Sequence, residues 1–180
     1  AIQETRKATG VAKAEHVAGF VRLILEAEEP CLLFAYHHDV VDILKEKLED
    51  FSPGCVTGRE SGKEKDEAIQ QFMAGETNLL IISLRAAAGL NLPRARAVVF
   101  AELDWSPAIH TQCEDRAHRI GTKDSVLCYY LVSSQGMDAE IMEALGFKKS
   151  QFIGIMGDRE ETEDEKLLAQ TDTKEFMLHV

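Results

Sequence analysis

Four uninterrupted apolar runs restrict the folds open to this chain. They are "CLLFAY" (Cys31 to Tyr36), "NLLIIS" (Asn78 to Ser83), "AVVFAE" (Ala97 to Glu102) and "VLCYYLV" (Val126 to Val132). A strand with one wet face alternates apolar and polar residues, whereas these do not, so each suits a strand buried on both faces. The stretches between them carry helical periodicity. Val17, Phe20, Val21, Ile24 and Leu25 predict a helix over 11–28, with Gly10 marking its start and Pro30 following its end. Asp39 is placed to cap the next helix, whose inner face would hold Val40, Ile43, Leu44 and Leu48. After a short strand at Cys55 to Thr57, Ser61 and Glu64 have capping-box spacing, ahead of Ala68, Ile69, Phe72 and Met73 as a buried face. Ser106-Pro107 should open another helix, and Met137 to Leu145 a last one, closed by Gly146. Strands alternating with helices predict an α/β fold: a three-layer α/β/α sandwich around a mainly parallel sheet. The terminal "KEFMLHV" could add one more strand.

The 180 residues suit one domain of ordinary size, and 45% are hydrophobic, enough for a substantial core. The formal charge of −11 lacks the basic footprint of a free-standing nucleic-acid binder. Contact with DNA or RNA must then be local or shared with another domain. Between Gly157 and Val180 stand eight acids against three bases, and "DREETEDEK" (Asp158 to Lys166) reads as a solvated linker or frayed helix. The expected organisation is a lobe over 1–156 and an acidic extension over 157–180. Cys31, Cys55, Cys113 and Cys128 form no CxxC pair, and reduced, buried thiols of an intracellular protein are expected. No signal peptide and no membrane-spanning apolar run is visible, and a first residue other than Met suggests a piece of a longer chain.

"TGRESGKE" (Thr57 to Glu64) imitates a phosphate-binding loop. Only three residues separate Gly58 from Gly62, however, and Glu64 stands where a hydroxyl residue should hold magnesium, so a turn into a capped helix is the better reading. His37 and His38 are adjacent and should point apart, which disfavours a shared metal ion. No metal site is expected. In "QCEDRAHRIG" (Gln112 to Gly121), Gln112, Arg116 and Arg119 share one helical stripe beside an apolar stripe of Ile109, Cys113, Ala117 and Ile120. Two guanidiniums on a rigid stripe suit bidentate contact with phosphate oxygens. Periodicity by itself favours a salt-bridged surface helix instead, with Asp115 paired to Arg119 and Glu114 to His118. "SLRAAAGLNLP" (Ser83 to Pro93) shifts that balance. It follows a buried strand directly, where ligands bind in open parallel sheets, and it offers Gly89 for close approach and Asn91 for hydrogen bonding. Trp105 reads equally as a core aromatic or an exposed wedge.

Taken in order, "LLFAYHHDVVDIL", "VTGRESGKEKDEAIQQF", "IISLRAAAGLNLPRARAVVFAELDWSP" and "QCEDRAHRIGT" resemble motifs IV, V and VI of superfamily 2 helicase-like ATPases. The likeness covers about residues 12–147 and is strongest to the second RecA-like lobe of Swi/Snf-like DNA translocases, in particular the annealing-helicase (HARP-like) branch. The resemblance implies a RecA-like fold without its own phosphate loop. It assigns Arg116 and Arg119 to arginine fingers acting on ATP held by an N-terminal lobe of the same protein. It places Gly89, Asn91 and Gln112 near the nucleotide. Gly58, Arg59, Ser83 and Arg85 fall at the nucleic-acid backbone, and Trp105 in the element that couples nucleotide state to DNA movement. ATP with Mg2+ would be held mainly by the other lobe, and duplex or branched DNA would be the track. The location implied is intracellular: the nucleoid in a bacterium or phage, the nucleus in a eukaryote. The chain departs from the family pattern at Thr122, where glutamine is usual, at Ala87 or Ala88, where a second glycine is usual, at Thr57-Gly58-Arg59 in place of "DGS", and at Lys65 in place of arginine. Other functions to weigh are a standalone DNA- or protein-interaction module without motor activity, and a lobe of an RNA helicase.

Overall fold

The computed structural model describes residues 2–116, 126–133 and 136–145, together with the backbone of 152–154 and 175–179. The order is α1 (Ile2–Glu26), β1 (Cys31–Ala35), α2 (His38–Lys47), β2 (Gly54–Val56), α3 (Gly62–Ala74), β3 (Leu79–Ser83) and β4 (Ala97–Phe100). It continues with α4 (Pro107–Glu114), β5 (Leu127–Val132), α5 (Asp138–Leu145), β6 (Phe152–Gly154) and β7 (Glu175–His179). Among the described residues seven strands make one sheet in the order β2-β3-β1-β4-β5-β7-β6, with parallel pairings throughout. The expected RecA-like α/β architecture is therefore the one observed. The last strand lies within the acidic extension yet pairs with β5, Tyr130 opposite Met177.

β1 is an inner strand, with Leu33 opposite Ile81 on one side and Val99 on the other. Alternate residues of each strand face opposite layers. Leu32, Phe34, Leu80, Ile82, Val98 and Phe100 pack with Ala68 and Phe72 of α3, Cys113 of α4 and Ile141 of α5. Cys31, Leu33, Ile81 and Val99 pack with Val17 and Val21 of α1 and Val41 and Leu44 of α2. β1, β3 and β4 are buried along their whole length, which is why their sequences do not alternate. Burying each such side chain stabilises the fold by about 1.5–3 kcal/mol.

Several local expectations change. α1 begins at Ile2, so Gly10 lies inside it and does not start it. The inward positions of its first half are Arg6, Thr9, Gly10 and Lys13, so the apolar period fades although the helix continues. Lys13 is 3% exposed; its ammonium donates to the Leu131 carbonyl at 2.7 Å and to Asp138 Oδ2 at 2.5 Å. His37, not Asp39, is the N-cap of α2, and it caps without a side-chain hydrogen bond. Asp39 sits in the first turn and pairs with Lys7. The capping box of α3 is present: Ser61 Oγ accepts from the Glu64 N–H at 3.3 Å and Glu64 Oε2 from the Ser61 N–H at 2.8 Å. Ala68 and Phe72 are buried as expected, Ile69 is partly buried, and Met73 is 37% exposed because it turns past the edge of the buried face. Ser106 caps α4 with Pro107 in its first turn. The four cysteines are free thiols, three of them buried, and burial pushes the Cys113 thiol up to about 12. Among the described residues no helix is long and apolar enough to cross a membrane. Gly146 falls outside the described residues.

Candidate functional site

Strands β2, β3, β1 and β4 lie side by side, so the loops leaving their carboxyl ends open in a row. These loops carry Thr57 to Arg59, Leu84 and Arg85, Tyr36 and His37, and Ala101 to Asp104 respectively. This is the edge at which open parallel sheets bind ligands.

A buried carboxylate organises the centre of the row. Glu102 is 2% exposed and follows the end of β4. Its Oε2 accepts the backbone N–H of Tyr36 at 2.7 Å and of His37 at 2.8 Å, and its Oε1 lies 2.6 Å from His37 Nδ1. The chain turns away from the sheet at these two N–H groups, and a buried N–H without an acceptor is costly. Helix α1 closes over this carboxylate through Gly10, where a Cβ would stand 2.5 Å from Glu102 Oε1. His37 is thus occupied by a carboxylate. Among the described residues no group of three His, Cys, Asp or Glu could hold a metal ion.

Two arginines lie against the Tyr36 ring. The Arg6 guanidinium is 3.9 Å from the ring centroid and that of Arg85 4.7 Å. Arg6 is buried, donating to the Leu103 carbonyl at 2.5 Å and lying 3.4 Å from Asp104 Oδ2. Arg85 is exposed, and its Nη2 donates to the Tyr36 hydroxyl. Asp104 Oδ1 accepts from the Ser106 N–H at 3.0 Å, and His110 Nε2 lies 3.0 Å from both the N–H and the carbonyl of Asp104. His110 packs edge-on to Phe100, which stacks on Tyr130. Burial lowers its pKa below the ordinary value of 6.5. The loop so held presents Trp105, which is 39% exposed. The wedge reading of this residue therefore fits better than the core one.

The loop after β2 behaves as a turn. Glu60 folds back, its Oε2 accepting from the Thr57 N–H at 2.7 Å and its Oε1 from the Thr57 hydroxyl at 2.8 Å. Partial burial pushes this carboxyl up, but the Thr57 hydrogen bonds outweigh it and the pKa is lowered. The imitation phosphate loop thus offers its backbone to a carboxylate. Arg59 is exposed and forks onto Asp42 of α2, with contacts of 2.6 and 3.2 Å. The hydrogen bond from Arg59 holds the Asp42 carboxyl below its ordinary value.

A second cluster forms where α4 ends. Gly89 has φ +77°, and a Cβ there would meet nothing within 4 Å, so conformation and not crowding calls for glycine. Arg116 Nη1 donates to the Leu90 carbonyl at 3.0 Å and its Nε to the Gln112 carbonyl at 2.8 Å; its own carbonyl accepts from the Leu92 N–H at 2.8 Å. Gly89, Asn91, Gln112 and Arg116 are thereby brought together. α4 ends at Glu114 with Asp115 as its C-cap, so Arg116 lies just past the helix and is held by one carbonyl of its last turn, that of Gln112, and one loop carbonyl, that of Leu90. Cys113 is buried and Ile109 packs against the core, as the apolar stripe requires. Ala117, His118, Arg119, Ile120, Gly121 and Thr122 lie outside the described residues, as do the pairs foreseen for Arg119 and His118. Ser83 is buried at the end of β3.

Sequence reasoning missed Glu102, Arg6 and Tyr36. A visible signal was the acid closing the otherwise apolar run "AVVFAE".

Residues 13–121 match the family described as helicase conserved C-terminal domain. The chain belongs to this family. It is 33% identical over 174 residues to the mouse protein named DNA annealing helicase and endonuclease ZRANB3, covering 94% of this chain and 16% of that protein. It is 36% identical over 135 residues to the Xenopus tropicalis SWI/SNF-related matrix-associated actin-dependent regulator of chromatin subfamily A-like protein 1, covering 72% of this chain and 14% of that one. The chain therefore spans under a fifth of the length of these relatives. The crystal structure of the C-terminal part of the Fun30 ATPase domain superposes with a TM-score of 0.62 at 25% identity, covering 69% of this chain and 42% of that one. The expected kinship with Swi/Snf-like superfamily 2 proteins of the annealing-helicase branch thus holds, and the domain is a RecA-like helicase lobe.

Proposed function

We propose that the chain is the second motor lobe of an ATP-dependent DNA translocase. Arg116 and Arg119 act as arginine fingers on a nucleotide held by an N-terminal lobe. Gly89, Asn91 and Gln112 line the near side of that nucleotide. Gly58, Arg59, Ser83 and Arg85 meet backbone phosphates of duplex or branched DNA, and Trp105 couples the two. The observation that best supports this reading is the Arg116 tether, which gathers the "AGLN" loop and the end of α4 at one place. A guanidinium fixed by backbone carbonyls loses little further freedom when it meets a phosphoryl group.

Phosphoryl transfer also needs the phosphates cradled and magnesium held. The 180 residues contain no phosphate-loop motif. Both tasks fall to the other lobe, and this chain by itself turns over no ATP at a useful rate. The acidic balance suits a half-motor that shares its DNA surface.

The test is Arg119→Ala and, separately, Arg116→Ala in the two-lobe protein. Each should lower kcat by about a thousandfold or more in protein that remains folded. Unchanged turnover in the Arg119→Ala protein would make these arginines structural. Comparing stimulation by duplex DNA, single strands and RNA separates the DNA motor from an RNA helicase.

A further inference from the structure

We infer that Tyr36 is a positioning residue for Arg85, holding its guanidinium ready for a nucleic-acid phosphate. This rests on the proposal that Arg85 meets the backbone of the tracked strand. Arg85 is exposed and long, and such a side chain normally loses much rotamer freedom when it grips an anion. Here two contacts restrain it: its guanidinium lies 4.7 Å from the Tyr36 ring centroid, and its Nη2 donates to the Tyr36 hydroxyl. Held over the ring with Nη2 on the hydroxyl, the guanidinium keeps its further N–H donors for phosphate oxygens.

The tyrosine is itself immobilised by buried partners. Its backbone N–H is bound by buried Glu102. Its ring is met by Arg6, which is 4% exposed and anchored on the Leu103 carbonyl. His37 stands edge-on to the ring with centroids 4.8 Å apart. A buried cation and an exposed cation thus share one aromatic ring, whose position the buried contacts hold. The ring and its hydroxyl act through Arg85 and need not touch nucleic acid themselves.

The experiment is a double-mutant cycle in the full-length protein, reading the duplex concentration that half-saturates binding across a salt series. Arg85→Ala should raise that concentration about tenfold and reduce the salt slope by about one. Tyr36→Phe keeps the ring and the core contacts while removing the hydroxyl, and should raise it about threefold. Tyr36→Leu should approach Arg85→Ala. In an Arg85→Ala background either Tyr36 substitution should have no further effect. Equal losses from Tyr36→Phe in both backgrounds, or no loss in either, would overturn the positioning role while leaving Arg85 at the phosphate. An Arg85→Ala protein that binds normally would overturn the phosphate contact and this role with it.

Discussion

Helix α1 contains two glycines on which one substitution should act with opposite signs. At Gly19, exposed in the second half of α1, a Cβ would meet nothing within 4 Å. Alanine there gains helix propensity and reduces the freedom of the unfolded chain, so Gly19→Ala should stabilise by about 0.5–1 kcal/mol. At Gly10 the same methyl would stand 2.5 Å from Glu102 Oε1, 2.9 Å from Glu102 Cδ and 2.9 Å from Val40 Cγ2. A free glutamate could swing aside. This one is buried and holds the Tyr36 and His37 N–H groups, so moving it disturbs those bonds. Overpacking costs about 1–3 kcal/mol, and each weakened bond to a carboxylate adds about 1 kcal/mol or more. Set against a propensity gain near 1 kcal/mol, Gly10→Ala should destabilise by about 2 kcal/mol. For a chain of this size that lowers the melting temperature by roughly 4–8 °C, while Gly19→Ala raises it by roughly 1–4 °C. Denaturant unfolding at constant m-value, with thermal melting beside it, measures both. If Gly10→Ala proves as stabilising as Gly19→Ala, α1 does not close on Glu102 as described, and the account of the buried network is wrong.

Two further outcomes are expected. His110 has a folded-state pKa lowered by burial, so the unfolded chain binds its proton more readily. Stability should be full above pH 6.5 and fall as the pH drops below it, since an imidazolium would bury Nδ1–H where no partner is found among the described residues. The fluorescence of Trp105, the sole tryptophan, follows the loop directly. His110→Gln should remove that part of the slope, and an unchanged slope refutes the assignment. Releasing Arg59 from its surface carboxylate by Asp42→Asn should tighten duplex binding about two- to fivefold at low salt, within the range of an exposed pair, as read by anisotropy. No change, with Arg59→Ala also neutral, would remove Arg59 from the DNA surface.

The elements were legible wherever burial is apolar. "CLLFA", "LLIIS" and "AVVF" are strands at the expected places, and Ser61 with Glu64 caps α3 as its spacing indicated. Family kinship was legible too, because the loops "AGLNLP" and "DWSP" and the "QCEDRAHRIG" segment keep their residue types and spacing. The start of α1 was not legible. Its inner face there is Arg6, Thr9, Gly10 and Lys13, polar or small residues whose burial depends on partners elsewhere. Arg116 was expected on a continuous helical stripe, but α4 ends two residues earlier, and its guanidinium is held by the Gln112 carbonyl of α4 and the Leu90 carbonyl of the facing loop.

The sequence by itself determined the α/β class, the strand and helix order, and the family, since each follows from local periodicity or from residues close along the chain. Tertiary structure alone decided that Glu102 binds Tyr36 and His37 across 66 and 65 residues, that Arg6 reaches Leu103 across 97, and that Lys13 meets Asp138 across 125. Periodicity records which face of an element avoids water. It does not record which distant partner makes a buried polar group tolerable, because that choice exists only once the sheet has brought the strand ends together.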